Sequence, residues 1–201
     1  MTVSVAERAL TGGFALLERA MGYTLGGLVL VGPEDMAAKT PCAAWDLRTL
    51  LLHMNHSLLT LHHAVAAGHL DLDAAGDPEA DYGDPAVDPV ASLRNRACRM
   101  IGAWANAPAP GGISIADRQL TPGIVAAAGA VEVAVHGWDV ARACGQDRHV
   151  PAALAEELLD LSPLFVRDAD RPTRFAPRLD LSSDLDSPSD RLVAFLGRRP
   201  H

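Results

Sequence analysis

A glutamate and a histidine stand one helical turn apart within VAAAGAVEVAVHGWDVA, residues 125–141. At an i, i+4 spacing Glu132 and His136 share a helix face, with Cβ atoms roughly 6 Å apart. Every other residue from Val125 to Val135 is apolar or glycine, so this helix is expected to be buried on most sides. A lone buried carboxylate is costly and tends to protonate unless something compensates its charge. Two compensations fit: a structural hydrogen-bonded Glu–His pair, or a metal ion, which gives both residues a task.

A catalytic zinc site wants three protein ligands and an open position. The third ligand must then come from another helix. The segment LRTLLLHMNHSLLTLHHAVAAG carries His53, His56, His62 and His63. His53 lies among Leu50, Leu51, Leu52 and Met54, the most apolar surroundings, and ranks first. His56, one turn on, ranks second. His62, His63, His69 and His149 read as solvent-side or loop residues. A di-iron site needs Glu-x-x-His on two helices, and neither that nor His-Glu-x-x-His occurs.

Other side chains have two readings each. Asp139 follows His136 by one turn and can accept its second imidazole N–H, or pair with Arg142 along the helix. Trp45 and Trp138 suit a substrate pocket or the core. Arg94, Arg96 and Arg99 share a helix; at least two are expected on a solvated face, with Arg94 the candidate for a ligand contact. Cys42 sits near a helix start, where a thiol pKa can fall, yet is expected to be a small packing residue. Cys144, near a helix C-terminus, meets the unfavourable end of the dipole for a thiolate.

The elements that must position these groups are mostly helical. Ser4 with Glu7 forms a capping-box signature, and apolar residues recur to Val31, where Gly32-Pro33 stops the helix. Thr40-Pro41 or Asp46 starts the second helix, which ends near Gly68. Residues 68–89 are acidic and rich in Gly and Pro, a long surface loop. Asp88-Pro89 opens a third helix to about Ala107, and ISIADRQLTPG is ambiguous between strand and extended loop. The fourth runs from about Ile124 to Ala143, with Gly145 as C-cap. Pro151 opens a fifth that Pro163 interrupts. A short strand near 174–181 and a helix from Ser187-Pro188 to Gly197 complete the chain. The fold expected is mainly α: an antiparallel four-helix bundle over residues 1–170, with a short C-terminal α/β tail, 171–201, packed on it.

Composition narrows the partners. The chain has 201 residues, 49% of them hydrophobic, and a net charge of −8. With Lys39 its only lysine and no basic stripe, nucleic-acid binding is disfavoured. The N-terminal MTVSVAERAL has neither the basic start nor the apolar core of a signal peptide, and Ala20–Gly32 is too short to span a bilayer. Cys42, Cys98 and Cys144 suit neither a disulfide framework nor a zinc finger. A cytoplasmic protein, monomer or homodimer, without a membrane partner is expected.

Three segments, TPCAAWDLRTLLLHM (40–54), VEVAVHGWDVARACGQ (131–146) and FAPRLDLSSDLDSPSDRLVAFLGRRP (175–200), together resemble the maleylpyruvate isomerase-like, mycothiol-dependent branch of the DinB-like proteins. The resemblance implies a DinB-like bundle with one divalent metal, usually zinc, on His53, Glu132 and His136. It also implies mycothiol as a cofactor or cosubstrate, with a small electrophile as its partner. The expected activity is thiol-dependent S-transfer or isomerisation. The alternatives are a thiol-independent metal-dependent hydrolase, lyase or cyclase, or a non-catalytic small-molecule-binding bundle.

Overall fold

Helix boundaries fall where side chains and glycines satisfy the backbone groups that a helix end leaves over. The computed structural model describes residues 12–42, 45–70, 84–106, 113–115, 118–171, 175–180 and 187–200. The capping box at Ser4 and Glu7 and most of the acidic 68–89 segment lie outside the described residues. Helix α1 (Gly13–Gly27) passes into a 3-10 turn over Leu28–Leu30, and a second such turn, Pro33–Ala37, follows the Gly32-Pro33 break. Helix α2 (Leu47–Ala67) starts at Asp46 rather than at Thr40-Pro41, because the Asp46 carboxylate accepts the Thr49 N–H at 2.8 Å. Gly68, at φ 68°, ends it.

Asp88 accepts the N–H groups of Val90 and Ala91 at 3.1 and 2.9 Å, which starts α3 (Pro89–Asn106). Helix α4 (Pro122–Ala143) begins two residues before the apolar periodicity suggests, since Thr121 caps it and Pro122 occupies a position needing no N–H partner. Gly145, at φ 69°, donates to the Arg142 carbonyl while Gln146 donates to that of Ala141, a Schellman turn. Helix α5 (Ala152–Phe165) is not interrupted by Pro163; that residue removes one N–H only two positions before the helix ends anyway. Helix α6 (Pro188–Phe195) carries the Ser187/Asp190 capping box.

Three short strands sit beside the helices. Strand β1 (His69–Leu70) pairs in parallel with β2 (Ile113–Ile115), which pairs antiparallel with β3 (Arg118–Leu120), so the two ends of ISIADRQL are strands. The strand expected near 174–181 is absent among the described residues of that stretch. Residues 175–180 are instead held to α6 by Leu179 N–H donating to the Ala194 carbonyl at 2.9 Å.

The order of contacts along the helices gives the bundle its topology. Gly13 meets Gly123 and Thr24 meets Val133, so α1 runs parallel to α4. Asn55 meets Pro89 and Leu61 meets Trp104, so α2 runs parallel to α3. His53 meets Glu132 while Leu61 meets Gly129, so the two pairs oppose each other. The antiparallel relation therefore holds between pairs, not between all successive helices. Helix α4 is the centre of the assembly, packed against α1, α2 and α5. By length and composition it is apolar enough to cross a membrane, yet 83% of its most apolar window is buried inside the bundle, as a core helix requires.

Candidate metal centre

Helices α2 and α4 face each other at the point where their polar residues interrupt two apolar surfaces. From α2, His53 Nε2 lies 2.6 Å from Glu132 Oε1. From α4, His136 Nε2 lies 3.3 Å from the same oxygen. Donor atoms of His53, Glu132 and His136 all fall within 4.8 Å of one another. Ser57, one turn beyond His53, donates its hydroxyl to Glu132 Oε1 at 3.3 Å. His56, the second-ranked histidine, is exposed. It lines the cleft described below rather than joining this cluster.

Glu132 is less buried than its apolar neighbours suggest. About a third of its side chain (36%) is exposed, as is His53's (33%), while His136 is enclosed at 7%. The exposure comes from a cleft of about 450 Å³ between α2 and α4, with His53 and Glu132 in its wall. A second, smaller void of about 10 Å³, lined by Met21, Leu28, Met54, Leu93, Glu132 and His136, has room for little more than one water.

Behind His136 lies a second layer. Its Nδ1 is 2.9 Å from Asp139 Oδ2, and Asp139 is fully buried. Arg142 does not take Asp139; it bonds Asp147 at 2.8 Å and lies 5.2 Å over the Trp138 ring. Asp139 is instead paired with Arg198, whose Nη2 lies 3.0 Å from Oδ2 and whose Nε lies 3.4 Å from Oδ1. Arg198 Nη2 is also 3.2 Å from Cys42 Sγ, and that sulfur is 3.7 Å from Asp139 Oδ2.

Local folding explains how these residues arrive. The Thr40 hydroxyl lies 3.0 and 2.9 Å from the carbonyls of Cys42 and Trp45, holding the turn before α2. That turn sets the Trp45 ring 4.6 Å from the His53 ring and 6.1 Å from that of His136. Arg198 arrives through the Schellman turn that ends α6, where Gly197 at φ 82° donates to Ala194 and Arg198 N–H donates to Val193. No helical spacing signals this arginine, since 59 residues separate it from Asp139. The only trace in the sequence is a glycine that ends a helix immediately before it.

Of the other candidates, Trp138 lies two residues past His136 on the opposite side of α4, buried in the core. Arg94 is exposed and donates to the Leu28 carbonyl at 3.1 Å, apart from the three donors; Arg99 is also exposed and Arg96 is buried. Burial and the Asp35 charge push the Cys144 thiol up to about 11.

The charges sustain one another. Burial raises the Glu132 carboxyl, but His136 and His53 outweigh it and hold the group well below the usual carboxylate range. Burial lowers His136, but Glu132 and Asp139 outweigh it and raise the imidazole well above its ordinary value. Burial likewise opposes the Asp139 charge, and the bonds from His136 and Arg198 keep it ionised.

This donor set fits a divalent metal. Two imidazoles and one carboxylate are a catalytic-zinc ligand set. The 3.3 Å between His136 Nε2 and Glu132 Oε1 is about the spacing of neighbouring donors in a tetrahedron with bonds of about 2 Å. With Asp139 on Nδ1, Nε2 is the nitrogen of His136 that could ligate a metal. Neither curated proteins nor solved structures yield a match to the chain. A family model does match, across residues 17–141, covering the turn with Cys42 and Trp45, the histidines of α2 and the Glu132–Asp139 segment of α4. The chain therefore belongs to the family of the mycothiol maleylpyruvate isomerase N-terminal domain, a DinB-like family.

Proposed function

We propose that the protein is a zinc-dependent enzyme that uses mycothiol as cofactor or cosubstrate to transfer sulfur to, or isomerise, a small electrophile. The convergence of His53 Nε2, Glu132 Oε1 and His136 Nε2 within 4.8 Å carries this reading. A zinc ion bound there supplies positive charge that keeps a thiol deprotonated at neutral pH. His53 and Glu132 face the cleft, so a thiol and its partner have access from that side. Asp139 fixes the His136 tautomer and ring orientation, and Arg198 keeps Asp139 ionised while lying 3.2 Å from Cys42. The Trp45 ring flanks both imidazoles, 4.6 Å from that of His53 and 6.1 Å from that of His136. We place the reaction in the cytoplasm.

Elemental analysis of wild type beside His53→Ala, Glu132→Ala and His136→Ala tests the proposal, followed by mycothiol titration of the cobalt-substituted protein. The expected result is about one metal per chain in wild type, background in the variants, and a thiolate-to-cobalt band with mycothiol. Wild type without metal, or cobalt protein indifferent to mycothiol, overturns it.

A further inference from the structure

Serines and threonines inside a helix commonly turn the hydroxyl back to the carbonyl four residues earlier. Thr60 and Ser162 do so here, donating to the carbonyls of His56 at 3.0 Å and Leu158 at 2.7 Å. Ser57, in the middle of α2, has the equivalent local acceptor in the His53 carbonyl. Its hydroxyl crosses to α4 instead and donates to Glu132 Oε1 at 3.3 Å. The spacing permits this, since Ser57 stands one turn beyond His53 and both residues line the cleft.

Three groups thus meet at one oxygen of Glu132: the Ser57 hydroxyl, His53 Nε2 at 2.6 Å and His136 Nε2 at 3.3 Å. Metal binding separates their roles. An imidazole that ligates through Nε2 carries no proton there, so both histidines stop donating to the carboxylate. The Ser57 hydroxyl is not among the three metal donors, and among the described residues it is the hydrogen-bond donor that Glu132 then keeps. We infer that Ser57 is a positioning residue of the centre: its hydroxyl holds Glu132 to ligation through one oxygen and so preserves the open position that a thiol needs. The bond occupies a lone pair of Oε1 and ties the carboxylate to α2, which opposes its swinging to close on the ion with both oxygens. The inference rests on the metal reading of the site, and not on which substrate enters the cleft.

Ser57→Ala and Ser57→Thr test it beside wild type, with zinc affinity read by chelator competition and the visible spectrum read on the cobalt-substituted proteins. Ser57→Ala is expected to bind zinc about 10- to 100-fold more weakly. Its cobalt bands are expected to lose intensity as the coordination number rises above four. Ser57→Thr keeps the hydroxyl and is expected to restore most of the affinity and the wild-type spectrum. Wild-type affinity or an unchanged cobalt spectrum in Ser57→Ala overturns the inference, as does a loss that Ser57→Thr shares in full. Wild type that takes up neither ion overturns the metal reading itself, which keeps the two failures distinct.

Discussion

Arg198 and His136 grip the same carboxylate oxygen: Asp139 Oδ2 lies 3.0 Å from Arg198 Nη2 and 2.9 Å from His136 Nδ1. The C-terminal segment is thereby wired to the α2–α4 centre through one buried residue. With Asp139 fully enclosed and the Arg198 side chain 10% exposed, neither partner is solvated enough to spare the other.

Removing either end of this relay should have separable effects. Asp139→Asn keeps the shape but loses the anion behind His136, and is expected to weaken metal binding about 10- to 100-fold in chelator competition. Arg198→Ala leaves a buried carboxylate with one partner fewer and is expected to destabilise the fold by about 3–5 kcal/mol in urea denaturation. Arg198→Lys restores charge but not the forked geometry, so it should recover only part of that loss.

Two glycines with similar backbone angles should respond differently to alanine. Gly145 at φ 69° has open space where a Cβ would stand, so Gly145→Ala is expected to cost only the left-handed strain, about 1–2 kcal/mol. Gly197 at φ 82° would bring its Cβ within 2.7 Å of Ala176 Cβ, adding an overpacking cost of about 1–3 kcal/mol. Because Gly197 also aims Arg198, Gly197→Ala alone of the two should weaken metal binding. Denaturation and chelator competition on both variants decide it.

The contact between α1 and α4 gives a third comparison. A Cβ on Gly13 would strike the Gly123 backbone, so Gly13→Ala should force the helices apart and cost about 1–3 kcal/mol. Gly22, in the same helix, has no heavy atom within 4 Å of its would-be Cβ, and Gly22→Ala is expected to stabilise by about 0.5–1 kcal/mol. Thermal unfolding of the pair reads both signs.

The metal-free protein should show a defined pH window. Glu132 and Asp139 have folded pKa values below their usual range, so their contribution is present above about pH 4 and lost as pH falls through the folded values. His136 is raised well above its ordinary value, so its contribution is complete below about pH 6.5 and lost as pH rises through the folded value. Denaturant midpoints of the metal-free protein should therefore peak between about pH 4 and 6.5. Metal affinity should climb with pH instead, because binding displaces the His136 proton.

Local rules made much of this protein legible. The i, i+4 pair Glu132–His136 follows from helix period alone, and the caps at Asp46 and Ser187 and the stops at Gly68, Gly145 and Gly197 follow from which residues satisfy helix ends. Each of these depends on neighbours within about one turn of chain. Tertiary packing decided the rest. The rotation of α2 against α4 brings His53 to Glu132 and leaves His56 at the cleft, a choice that apolar surroundings ranked without determining. The same packing opens the cleft that exposes a third of Glu132, which an all-apolar helix had suggested would be enclosed. The parallel pairing of α1 with α4, and the 59-residue reach of Arg198 to Asp139, leave no periodic trace. Spacing along a chain encodes contacts within an element, whereas the site lies between elements, where relative rotation and distant residues set the chemistry.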